Sequence, residues 1–187
     1  MKRIVAVTGG IGAGKSVVCH ALTALGFPVY DTDLAARRLM DGSADIKRRI
    51  AETVSPDAIA ADGSINRQAL AAVVFADKAK LQQLNLIVHG AVRDDFVCWA
   101  DSLKSNLLFV ETAILYESGF DALVGEIWEV TAPADVRIRR VMSRSGLSES
   151  QVRERIAAQS SAPRAGHRII ENDDVTPLIP QILTLLS

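Results

Sequence analysis

Apolar residues in this chain fall into short unbroken runs, separated by longer stretches where they recur every three or four positions. The first pattern is that of buried strands and the second that of helices. Arg3-Ile4-Val5-Ala6-Val7 reads as a strand, and Ser16 to Leu25 as a helix with Val17, Ala21, Leu22 and Leu25 at helical spacing. Phe27-Pro28-Val29-Tyr30 predicts a second strand, ended by Asp31-Thr32-Asp33 ahead of a helical stretch from Leu34 to Met40. From about Ala44 to Ala100 only helical patterns occur, broken at Ser55-Pro56 and Asp62-Gly63-Ser64. Leu107-Leu108-Phe109-Val110 is a third strand, Glu126-Ile127-Trp128-Glu129-Val130 a fourth, and Arg168-Ile169-Ile170 a weak fifth. An arginine-rich helical stretch runs from Ala134 to Arg155, and an amphipathic helix carrying Leu178, Ile182, Leu185 and Leu186 follows the last strand.

Strands alternating with helices imply the α/β class, here a parallel five-stranded sheet with helices on both faces. The expected organisation is one domain, 1–187, whose core covers about 1–43, 105–133 and 165–187. A helical insertion fills about 44–104, and a helical lid about 134–164.

The turn after the first strand carries the chemistry. Gly9-Gly10-Ile11-Gly12-Ala13-Gly14-Lys15-Ser16 fits the G-x-x-x-x-G-K-[ST] phosphate loop, flanked by strand and helix as that motif requires. Its glycines let successive backbone N–H groups curl around a polyphosphate. A helix N-terminus alone offers an exposed anion only about 0.3–1 kcal/mol, so converging amides, the Lys15 ammonium and a metal held by Ser16 must add to it. Gly12, Ala13, Gly14, Lys15, Ser16 and Val17 are thus the expected ATP-binding positions.

Charge narrows the partners. With 21 basic and 22 acidic residues the net charge is −1, so neither nucleic acid nor an anionic membrane is an expected partner. Cys19 and Cys98 are isolated and the three histidines lack zinc-ligand spacing, which fits a reduced, cytoplasmic setting. The apolar run after Met1-Lys2-Arg3 stops at Thr8-Gly9-Gly10, too short for a signal peptide's hydrophobic region or a spanning helix.

Phosphoryl transfer needs a phosphate cradle, a metal, cations near the transferring group and a residue that orients the acceptor hydroxyl. Asp33, beyond the second strand, is a candidate to take or align the acceptor's proton, and equally suits a helix N-cap. Asp31 could serve the metal through water or hold the turn. Arg137, Arg140 and Arg144 share one helix face, with Arg139 pointing away. Such a face suits phosphate oxygens on a movable lid, and also suits a solvated basic helix. Glu111, ending the third strand, is a candidate to support Mg2+ through a water, alongside Ser16; Glu117 is a weaker one.

Together these motifs resemble the dephospho-coenzyme A kinase family over nearly the whole chain. The resemblance rests on Thr8 to Ser16, Asp31-Thr32-Asp33, Asp62 to Arg67 with Leu70 and Phe75, His89, Tyr116-Glu117-Ser118-Gly119, Arg140 with Arg144, Gly146-Leu147-Ser148, Arg155 to Gln159, and Asn172. It implies a phosphate-loop kinase fold and ATP-dependent phosphorylation of the ribose 3′-hydroxyl of dephospho-coenzyme A. It also implies Asp33 as base, Lys15 and Arg140 as catalytic cations, and Arg144 and Asn172 on the ATP side. Arg67 and His89 would bind the acceptor on the insertion. The chain departs from the family pattern at His89-Gly90, where His-Pro is usual, at Glu111-Thr112-Ala113, where Asp-x-Pro is usual, and at His167, where Asp is usual. Another phosphate-loop kinase or a degenerate nucleotide-binding module would share the loop. A GTPase switch is disfavoured, since D-x-x-G and N-K-x-D signatures are absent from the sequence.

Overall fold

The computed structural model describes residues 2–159 and 166–187. In chain order the elements are β1 (Arg3–Thr8), α1 (Lys15–Ala24), β2 (Val29–Asp31), α2 (Thr32–Gly42), α3 (Ala44–Thr53), α4 (Arg67–Ala76), α5 (Lys78–Ser102), β3 (Leu107–Glu111), β4 (Glu126–Thr131), α6 (Ala134–Ser145), α7 (Glu149–Ala157), β5 (Arg168–Glu171) and α8 (Leu178–Leu186). The strands form a five-stranded sheet in the order β2-β3-β1-β4-β5. Its pairings β1–β3, β1–β4 and β4–β5 are parallel, with Val7 opposite Glu111 on one side and Trp128 on the other.

The central strands are continuous apolar runs because both of their faces are covered. Val5, Ala6 and Val7 are all fully buried, as are Leu108, Phe109 and Val110. On one face Val5, Val7, Phe109, Trp128, Val130 and Ile170 pack with Val18, Cys19 and Leu22 of α1 and Ile182 of α8. Tilted rings of Phe109 and Trp128, with centroids 5.1 Å apart, fill the middle of this core.

One helical expectation changes and another gains detail. The stripe Val17, Ala21, Leu22, Leu25 is not the buried one: Val17 and Leu25 are exposed, and Val18, Cys19 and Leu22 face the sheet. Adjacent apolar residues at 17 and 18 leave the stripe's register open in sequence, and the position of the loop sets it. The arginine-rich helical stretch consists of two helices. Gly146, in the left-handed region at φ 67°, closes α6, and Ser148 opens α7 with a reciprocal capping box to Gln151.

The chain divides into two compact units, residues 1–30 with 105–187, and residues 31–104. The second unit is helical and has its own core of Ile46, Ile50, Val54, Ala58, Leu70, Val74 and Ile87. Its only strand-like feature among the described residues is one antiparallel bridge, Ile59 to Ile65, closed by the Asp62-Gly63-Ser64 turn. Of the stretch 134–164 expected as a lid, residues 160–164 lie outside the described residues.

Candidate active site

The glycine-rich loop leaves β1 and returns into α1, whose N-cap is Gly14 in the left-handed region at φ 96°. A Cβ there would lie 1.9 Å from Asn172 Nδ2, so a side chain at this position would strain the backbone and displace the Asn172 amide. Lys15 Nζ donates to the Gly9 carbonyl at 3.0 Å, arching over the loop. Ser16 Oγ donates to Glu111 Oε1 at 2.7 Å. Parallel pairing of β1 with β3 produces that contact, since Glu111 ends the strand beside Val7. The two residues expected to share a metal therefore meet, 95 positions apart in sequence.

A second set of side chains holds the loop by its carbonyls. Arg137 Nε donates to Ile11 O at 2.8 Å, while Gln159 Oε1 accepts from the Ile11 amide at 2.7 Å. Asn172 Nδ2 donates to Ala13 O at 2.8 Å, and Arg140 reaches Gly12 O at 3.3 Å and Ala13 O at 3.4 Å. Arg140 also donates to Asn172 Oδ1 at 3.1 Å and to Asp174. Binding these carbonyls matters for an anion site, because a carbonyl turned toward phosphate would repel it. Burial draws the Arg137 guanidinium below its ordinary pKa. The Arg140 guanidinium, followed by Arg139, holds the Asp174 carboxyl below the usual carboxylate range.

The arginine face thus reads differently in three dimensions. Arg137 and Arg140 grip the loop, whereas Arg144 sits exposed in the last turn of α6. Arg139, expected to point away, joins Arg140 on Asp174 at 2.8 Å. Gln159 and Asp174 were not assigned roles from sequence. Asp174 is the sole described non-glycine residue with positive φ, 68°, in the left-handed region that aspartate enters more readily than most side chains.

In the helical unit the N-cap of α2 is Asp31, whose carboxylate accepts from the Leu34 amide at 2.9 Å. Asp33 is therefore not the cap; it lies exposed in the first turn of α2. Arg67, the first residue of α4, contacts both carboxylate oxygens of Asp41 at 2.8 Å. His89 is half-buried on α5.

Within the sheet unit a cavity of about 310 Å³ lies against Gly9 and Gly10, walled by the segment 113–117, Glu129, Ala158, Gln159 and His167. Almost wholly buried, His167 contacts Glu129 Oε2 through Nδ1 at 2.6 Å and the Tyr116 hydroxyl through Nε2 at 2.7 Å. The phenol and imidazole planes differ by 10° with centroids 6.2 Å apart, so the rings meet edge to edge through that bond.

A parallel sheet whose first strand feeds a glycine loop, with Lys15 over it and a hydroxyl–carboxylate pair at its end, defines a phosphate-loop phosphotransferase. The family model described as dephospho-CoA kinase matches residues 3–176. A curated dephospho-CoA kinase of Porphyromonas gingivalis is 36% identical over 98% of this chain and 92% of its own. Among solved structures, TT1252 from Thermus thermophilus superposes with TM-score 0.80 and 33% identity, covering 99% of this chain and 94% of its own. The dephospho-CoA kinase from Campylobacter jejuni shares the fold, with TM-score 0.67 at 21% identity over 100% and 96% of the two chains. This chain belongs to the dephospho-CoA kinase family.

Proposed function

We infer that this protein transfers the γ-phosphoryl group of ATP to the ribose 3′-hydroxyl of dephospho-coenzyme A, giving coenzyme A and ADP in the last step of coenzyme A synthesis. The observation that carries this reading is the meeting of Ser16 and Glu111 at 2.7 Å beside Lys15, on a chain matched by the family model over residues 3–176. Kinase chemistry of this type uses a divalent metal. The donor set fits one: a hydroxyl and a carboxylate are hard oxygen ligands. No group of three or more His, Cys, Asp or Glu side chains forms a metal cage among the described residues, so water and phosphate oxygens would complete the shell. That arrangement suits Mg2+, which keeps waters and binds through one or two protein groups plus substrate phosphates. When bound, it neutralises charge on the β- and γ-phosphates.

The protein's own groups divide the remaining work. Loop residues Gly12 to Val17 hold the triphosphate, with Lys15 countering its charge; Asn172 and Arg144 serve the ATP side. Arg140 leaves the loop carbonyls and Asp174 to meet the transferring group as α6 and α7 close. Asp33 accepts or aligns the acceptor's 3′-hydroxyl proton, a role its release from capping duty supports. Arg67 and His89 bind the acceptor on the helical unit. Among the described residues no helix is long and apolar enough to cross a membrane.

An acceptor panel tests the reading. Purified protein with ATP and magnesium is offered dephospho-coenzyme A, nucleosides, nucleotides and small alcohols, and ADP release is followed. Preferred turnover of dephospho-coenzyme A is expected; equal or better use of another alcohol would replace it with a different kinase activity.

A further inference from the structure

Arg140 donates through Nη1 to the Gly12 and Ala13 carbonyls at 3.3 and 3.4 Å, and through Nη2 to Asn172 Oδ1 at 3.1 Å and to Asp174 Oδ1. Among these acceptors Asp174 alone carries charge. Resting on the phosphotransfer reading above, we propose that Asp174 is a positioning residue whose carboxylate competes with the terminal phosphates of ATP for the Arg140 guanidinium, and so sets how readily that arginine is recruited.

The competition follows from how a guanidinium holds phosphate. It offers two two-pronged grips, Nε with Nη2 or Nη1 with Nη2, and both include Nη2. That nitrogen carries two hydrogens, which the side chains of Asn172 and Asp174 already match with two acceptors. A bidentate hold on a phosphate therefore withdraws Nη2 from one of them. Asp174 is the stronger rival, because a bond to a carboxylate is roughly twice as strong as one to a neutral amide oxygen. Arg140 and Arg139 hold its carboxyl below the usual carboxylate range, so it is ionised at neutral pH.

The turn that carries Asp174 is built by other groups. Asp173 Oδ1 accepts from the Val175 amide at 3.0 Å and the Thr176 amide at 2.7 Å, and its Oδ2 accepts from the Thr176 hydroxyl at 3.1 Å. Just upstream, the Asn172 amide donates to Thr131 O at 2.8 Å and its side chain to Ala13 O at 2.8 Å. The Asp174 carboxylate is thus spent on the arginines. Arg139 Nη2 occupies Oδ2 at 2.8 Å, which keeps Oδ1 turned toward Arg140. Asparagine and glycine both enter the left-handed region that Asp174 occupies at φ 68°, so either substitute preserves the turn while removing the charge.

The test uses the full chain carrying Asp174→Asn or Asp174→Gly, each in the wild type and in Arg140→Ala. Calorimetric Kd is measured for ATP with magnesium and for AMP, with no acceptor present, and thermal unfolding checks that each variant is folded. The Arg140 side chain is 26% exposed and that of Asp174 48%, so the pair lies between an open surface bridge and an enclosed charge-assisted bond. Its loss corresponds to about a 3- to 10-fold change in an equilibrium. Asp174→Asn should tighten ATP by about that factor, and Asp174→Gly by at least as much. AMP, which lacks the terminal phosphates, should bind within about twofold of its wild-type affinity. In Arg140→Ala both substitutions should leave ATP affinity within about twofold, since the arginine competed for is gone. An unchanged or weakened ATP Kd, equal tightening for AMP, or tightening that persists in Arg140→Ala would overturn the proposal. A protein that meets these expectations yet phosphorylates a different alcohol would retain the inference and reject the proposed activity.

Discussion

Replacing Arg140 by alanine separates two roles that the structure superimposes. The guanidinium donates to Gly12 O at 3.3 Å, Ala13 O at 3.4 Å and Asn172 Oδ1 at 3.1 Å. These lie at the long end of the hydrogen-bond range, and Ala13 O keeps the 2.8 Å bond from Asn172 when Arg140 is gone. The structural loss is therefore small, about 1–2 kcal/mol. For a chain of this size that lowers the thermal midpoint by about 2–8 °C. An arginine meeting the transferring phosphate is worth far more, about 10³–10⁵ in rate, or roughly 4–7 kcal/mol. Arg140→Ala should accordingly lose at least about 10³ in kcat, a deficit its stability change cannot supply. Steady-state kcat with saturating ATP and acceptor, alongside thermal unfolding, makes the comparison. A kcat within about tenfold of wild type, with the expected fall in midpoint, would show Arg140 to be a buttress of the loop and nothing more.

Asp33→Asn should lower kcat by about 10²–10⁴ with ATP affinity little changed, whereas Asp31→Ala should cost about 1 kcal/mol of helix stability; an equal loss of kcat and ATP affinity in Asp33→Asn would argue against its role toward the acceptor. Gly14→Ala, which strains the loop backbone at φ 96° and displaces the Asn172 amide, should weaken ATP binding by calorimetry, while Gly146→Ala, which meets nothing within 4 Å and lies outside the loop, should leave it unchanged. Burial alone would raise the Glu126 carboxyl, but Trp128, Arg3 and Arg168 outweigh it and hold the pKa below the ordinary value. Its contribution is then present above the unfolded pKa and lost as pH falls through the folded one. Glu126→Gln should therefore unfold at lower temperature than wild type at neutral pH, and the gap should narrow in acid below the carboxylate range. A gap that widened in acid would reverse that sign.

Local pattern carried most of the fold. Each observed strand shares residues with its expected one, and β1 and β3 were the plainest because burial on both faces leaves an unbroken hydrophobic run. The loop was legible because glycine, lysine and serine are each required at fixed positions by phosphate geometry. Ambiguity arose where residue type serves two masters. Asp31 and Asp33 both suit a helix start, and only the bond from the Leu34 amide distinguishes them. Arg137, Arg139 and Arg140 all suit phosphate, yet two of them meet Asp174, a partner 34 and 35 positions away that local pattern does not bring to them. Glu129, His167 and Tyr116 lie 38 and 51 positions apart, so their convergence emerges only when β4 and β5 are laid side by side.

The account stands or falls on where the phosphoryl group goes. Phosphorus NMR of the product formed from ATP, magnesium and dephospho-coenzyme A should show one new phosphomonoester, at the ribose 3′ position, formed in step with ADP. Phosphate appearing at another hydroxyl, or ADP accumulating with inorganic phosphate and no coenzyme A, would contradict it.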